Sequence, residues 1–115
     1  MEILAYIFQA ILILMFALAG IGKVVGYEMH VESFKHWRLP QWFRVVTGIV
    51  EIVGAALLLI GYWELSYAMA GALVLGITGI GGILTHIRVK DTFKETLTIL
   101  LLAILSFIVF FIYYL

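Results

Sequence analysis

Hydrophobic residues in this chain fall into four long runs, with charged residues bunched between the first and second runs and between the third and fourth. Cut at those charges, the runs are Ile3 to Gly22, about Val45 to Tyr62, Leu65 to Thr85 and roughly Thr96 to Leu115. Each holds 18 to 21 residues, and at about 1.5 Å of rise per residue that length crosses a hydrocarbon layer of roughly 30 Å. The pattern predicts an all-α, four-transmembrane-helix bundle forming a single integral membrane domain over residues 1–115, with nothing left over for a soluble domain. Ahead of the first run stands Glu2 rather than a basic stretch. The run is too long for a signal-peptide core and ends in Gly22-Lys23 without a small-residue cleavage site, so it reads as a retained span.

Between the first two spans lies the one long connection. There Tyr27, Val31, Phe34 and Trp37 recur at spacings of 4, 3 and 3, with Glu28, Glu32, Lys35 and Arg38 between them. This predicts a short interfacial helix over about 27–38; a solvated loop with scattered apolar residues is the alternative. Leu39-Pro40-Gln41 ends the segment, and Pro40 suits the first turn of the next span, where a missing N–H costs nothing.

Composition agrees with a membrane class: 65% of residues are hydrophobic, 12% are charged, and mean hydropathy is +1.19. A formal net charge of zero offers no basic excess for nucleic acid. With no cysteine, disulfides, thiol redox chemistry and thiolate metal ligation are excluded. Of the seven Lys and Arg, Lys23, Lys35, Arg38 and Arg44 lie between spans one and two, and Arg88, Lys90 and Lys94 between three and four. Basic residues in short loops stay cytoplasmic, so both connections are expected inside the cell membrane and both termini outside. Trp37, Trp42 and Phe43 would border the inner face, and Tyr62, Trp63, Tyr67, Tyr113 and Tyr114 the outer.

Glu51 breaks the pattern, standing alone as a charge within Val45 to Ile60. An acid in a span marks a functional site by default and needs a partner. Insertion tolerates it: the ten Ile, Leu and Val residues of span two contribute about −0.3 to −0.6 kcal/mol each, against about +3 for one acid near the centre. Small residues, where helices pack in lipid, make a face of Gly48, Glu51 and Ala55 with Gly54 in span two. A second face is Ala68, Ala72, Gly76, Gly79, Gly82 and His86 in span three, and a third is Phe16, Ala19 or Gly20, and Lys23 in span one. The three faces are expected to meet. Helical side chains lean toward their own N-terminus, so Lys23, Glu51 and His86 converge on a polar cluster in the cytoplasmic half. The plainer alternative makes Glu51 a structural glue residue, Lys23 a snorkelling lysine and His86 an interfacial histidine. Gln9, Thr47, Thr78 and Thr85 either extend a polar track or bond neighbouring backbone.

Several stretches resemble the DoxX-like family of small four-span membrane proteins. They are Ala19-Gly20-Ile21-Gly22-Lys23-Val24, Leu39-Pro40-Gln41-Trp42-Phe43-Arg44, and the run from Thr47 through Glu51 to Leu59. Lys23, Pro40, Trp42 and Glu51 are the positions the resemblance carries over. It implies a subunit associated with a thiosulfate:quinone oxidoreductase, or a component of redox-stress complexes or of membrane-protein assembly, any redox-linked role being that of a non-catalytic subunit. Glu51, Lys23, His86, Trp42 and Arg44 are therefore the candidate ligand-binding or polar-cluster residues.

Three functions follow. One is an accessory or scaffold subunit with a membrane-protein partner or as a homo-oligomer. Another is a binder of a quinone, lipid or other amphipathic ligand. The third is a small proton-coupled transporter, as in the small multidrug resistance family, whose essential acid lies in span one where this chain has Gln9. His30, His36 and His86 are too scattered for a metal site, and no nucleophile–base pair or phosphate-cradling Gly loop supports catalysis.

Overall fold

The computed structural model describes residues 2–115 and is all-helical: α1 (Glu2–Val25), α2 (Glu28–His36), α3 (Gln41–Ile60), α4 (Leu65–Arg88) and α5 (Phe93–Tyr114). The four long helices are each apolar enough to cross a membrane, and the short amphipathic one lies between the first two, as the pattern predicts. Each runs past at least one of its charge-defined borders, because a helix continues through the headgroup layer once its backbone bonds are formed, and α3 stops two residues short of Tyr62. Pro40 sits one residue earlier than expected, at the N-cap of α3 rather than in its first turn. Its φ is −67° and its carbonyl accepts from Phe43 N–H at 3.1 Å.

Among the described residues α1 packs on α3 and α5, and α4 packs on the same two helices, so α1 and α4 stand diagonally across the bundle. This corrects the expectation that three small-residue faces meet. The stripe glycines Gly76, Gly79 and Gly82 face Phe107, Ala103 and Ile99 of α5, whereas Gly71, outside the stripe, backs onto the α3 backbone. Leu12, Phe16, Ala55, Leu58, Leu75 and Val109 fill the centre. Outward-facing Ile, Leu and Val clothe every long helix, as lipid requires.

Close approach is tightest between α1 and α3. A Cβ on Gly20 would stand 2.7 Å from the Gly48 carbonyl oxygen, and a Cβ on Gly48 would stand 2.7 Å from that of Gly20. Only glycine at both positions lets the backbones touch this way, and the contact brings Lys23 beside α3.

Gln9, fully buried in α1, donates to the Leu58 carbonyl at 2.6 Å and accepts from the Tyr113 hydroxyl. It ties three helices at the end away from the basic loops. Thr47, Thr78 and Thr85 each bond the carbonyl four residues earlier. The backbone-bonding alternative holds, and these residues form no polar track.

Candidate functional site

At the basic end of the bundle α1 and α3 bring two opposite charges together. Lys23 lies in the last turn of α1, and Glu51 lies about 15 Å along α3 from Gln41, ten residues on. Lys23 Nζ is 2.9 Å from Glu51 Oε1, with the two side chains only 11% and 5% exposed. By distance this is an ion pair. Its angles fall short of a hydrogen bond, and Oε1 receives none from any other described residue. A buried carboxylate with an unsatisfied lone pair is costly.

His86 lines one cavity with Lys23 and Glu51 but takes its hydrogen bond elsewhere. Its Nδ1 is 2.7 Å from Asp91 Oδ2, and its ring meets the Trp37 indole edge-on at 5.2 Å. The reason is local. α4 ends with Lys90 in the left-handed region at φ 62°, and Asp91 N–H bonds back to the His86 carbonyl at 2.9 Å. This helix-ending motif folds Asp91 over the histidine five residues before it. α2 ends in the same way, with Arg38 at φ 58° and Leu39 N–H bonded to the Phe34 carbonyl.

Asp91 then becomes the centre of a clasp. His36 Nε2 lies 2.7 Å from Oδ1, Trp37 Nε1–H donates to Oδ2 at 3.3 Å, and Arg88 donates to the Trp37 carbonyl. The clasp pins the far end of α2 to the α4–α5 connection, making α2 a roof across the bundle. Asp91 is not among the residues the sequence pattern singles out, because only the basic residues of its loop bear on orientation. An acid five residues after a histidine at a helix end was the available signal.

The other two candidates part company with the charge pair. Trp42 is 67% exposed and touches only Phe43 among described aromatic rings, so it faces outward. Arg44 donates to the Lys23 carbonyl and, at 2.8 Å, to Gln41 Oε1, while Gln41 donates to the Val31 carbonyl at 3.2 Å. It satisfies an orphan carbonyl at the end of α1 and stitches α1, α2 and α3 together instead of meeting Glu51.

Beneath α2 these elements line a partly open cavity of about 500 Å³. Phe16, Val50, Ile99 and Leu102 supply apolar wall, Lys23 and Glu51 a charged patch, and Phe34 and Trp37 line it from α2. His30, unremarked as a site residue, also lines it. Burial, followed by the charges of Lys23 and Arg44, pushes the His30 pKa below its usual value. No group of three or more potential metal ligands occurs among the described residues.

The hydrogen bond to His36 does most to hold the Asp91 carboxyl below the usual carboxylate range; desolvation opposes it, and His86 and Trp37 add to the lowering. A folded value below the unfolded one means that the clasp contributes fully above about pH 4 and is lost as pH falls through the folded value. Asp91→Asn should therefore raise hydrogen exchange of the α2 amides at neutral pH. Unchanged exchange would mean that Phe34 packing alone holds the roof.

Four apolar spans around a polar pair, roofed by an interfacial helix, define a helical-bundle integral membrane protein. The chain belongs to the DoxX-like family, whose sequence profile matches residues 7–109. It is 43% identical over 63 residues to "Uncharacterized protein YdgD" of Bacillus subtilis (strain 168). That stretch is 55% of this chain and 54% of the relative, so the match spans about half of each. No solved structure matches.

Proposed function

We propose that this protein binds an amphipathic, quinone-like ligand in the cavity beneath α2, with Lys23 and Glu51 as the polar anchor. The observation that carries the reading is a cavity of about 500 Å³ whose apolar walls meet a buried ion pair. Its volume lies in the range of small-molecule sites, about 300–1,000 Å³, and few polar groups converging in an apolar cleft are what fix a ligand's orientation. A scaffold alone needs no such space. In a membrane oxidoreductase the protein would serve as a non-catalytic subunit that holds the ligand. A proton-coupled transporter draws less support, because the acid is already paired and Gln9 of α1 is committed to Leu58 and Tyr113.

Gly81 provides the test, since it lines the cavity and a Cβ there would meet nothing within 4 Å. Gly81→Phe should fill the space while leaving the bundle intact. Purified protein should gain thermal stability with decylubiquinone, and the variant should lose that gain while melting near the wild-type temperature. An undiminished gain in Gly81→Phe would reject the site.

The lopsided distribution of basic residues supports a membrane orientation with both termini outside and the α1–α3 and α4–α5 connections cytoplasmic. The chain has no native cysteine to interfere with labelling. In intact cells a cysteine introduced at Lys35 should resist an impermeant maleimide, and one at Trp63 should react; the reverse result would invert the topology.

A further inference from the structure

The charge pair restricts the head group that the cavity accepts. Glu51 Oε1 is buried and takes no hydrogen bond of usable angle, and a buried carboxylate is tolerated only when its lone pairs find donors. Of the protein's own candidates nearby, four are committed, and His30, which also lines the cavity, gives Oε1 no hydrogen bond. The hydroxyls of Thr47, Thr78 and Thr85, all lining the cavity, are given to their own helices, and His86 is bonded to Asp91. The missing donor is one that a ligand can supply.

Charge narrows the class further. Lys23 and Glu51 cancel, so an anionic head would meet the carboxylate, and a cationic head the ammonium, across a medium of low dielectric where like charges repel strongly. A neutral hydroxyl meets neither penalty. Its O–H can donate to Oε1 while its oxygen accepts from the Lys23 ammonium, which carries three N–H donors. A carbonyl or an ether in the same place accepts from Lys23 and leaves Oε1 as it was.

We infer that the cavity selects a neutral amphiphile with a hydroxyl head over its keto or O-methyl counterpart, Glu51 being the specificity-determining acceptor and Lys23 the donor. This deepens the proposed function and rests on it. The geometry that carries it is a nine-tenths-buried carboxylate oxygen that takes no hydrogen bond of usable angle, lining an apolar cavity 2.9 Å from a lysine ammonium.

The test compares three probes of nearly equal size on the purified full-length protein in detergent: decylubiquinol kept reduced, decylubiquinone, and the di-O-methyl ether of the quinol. Binding is read by tryptophan fluorescence in a Trp42→Phe/Trp63→Phe background, which leaves Trp37, whose indole lines the cavity, as the sole reporter. A hydrogen bond to a charged group predicts that the quinol binds about tenfold tighter or more than either other probe. Glu51→Gln, which keeps the shape but not the charge, should shrink that preference toward equality. Its partition of the probes into micelles is the same, so it serves as the control. Equal binding of all three probes by the wild type, or tighter binding of the quinone, overturns the inference and leaves the proposed site standing. A preference that survives intact in Glu51→Gln overturns the role of Glu51. Binding of none of the three removes both the inference and the proposed function.

Discussion

Lys23→Met should cost about 3–5 kcal/mol of stability, the penalty for removing one partner of a buried ion pair and leaving the other uncompensated. Lys23 and Glu51 are 2.9 Å apart and both nearly inaccessible, so solvent screening does little to reduce the figure. The reverse truncation, Glu51→Leu, should cost less. Lys23 lies two residues from the end of α1 and can extend its amine toward the headgroups, whereas Glu51 lies ten residues into α3 and has no such exit. The double variant Lys23→Met/Glu51→Leu should recover most of the loss, because an apolar pair of similar volume removes both desolvation costs. Unfolding by SDS titration in mixed micelles measures all three. A loss below about 1 kcal/mol for Lys23→Met, the range of exposed pairs, would show that the pair is solvated and not a buried site.

Gly48→Val should be the next most damaging change, at about 2–3 kcal/mol. Its first added atom would lie 2.7 Å from the Gly20 carbonyl oxygen and 2.9 Å from both Lys23 Cβ and Val24 Cγ2. The nearest of these neighbours is backbone and cannot rotate away. α1 and α3 must separate, and the separation falls on the same turn that sets the Lys23–Glu51 distance. Gly48→Val should therefore also lose the ligand-induced gain in melting temperature, whereas Gly81→Ala, where added atoms meet open space, should be neutral or slightly stabilising. A wild-type melting curve for Gly48→Val would show that the two helices do not rely on this contact.

Much of the site was legible before any coordinates. Glu51 needed a base, and helical side-chain direction pointed Lys23 toward it from the neighbouring span. The same rule points His86 toward the cavity it shares with Glu51, yet its hydrogen bond goes to Asp91, which a five-residue helix-ending turn folds back over it. Local geometry outcompeted the long-range partner. Trp42 and Arg44 were grouped with the cluster by their place in a motif, yet neighbours on a helix point about 100° apart per residue, and which of them turns inward depends on what the helix packs against. α3 turns Glu51 inward and leaves Trp42 outside.

Hydrophobic run length and charge position are properties of the chain, and they were enough to determine four spans, an interfacial helix and one acid that had to be neutralised. Bilayer thickness converts residue count directly into span number, so no knowledge of packing was required. Which helices touch, where α2 is clasped, and that a cavity opens between the charge pair and the roof were decided by tertiary structure alone. Those features depend on contacts such as Gly20 with Gly48 and Asp91 with His36, between residues distant in sequence, whose pairing no periodicity encodes.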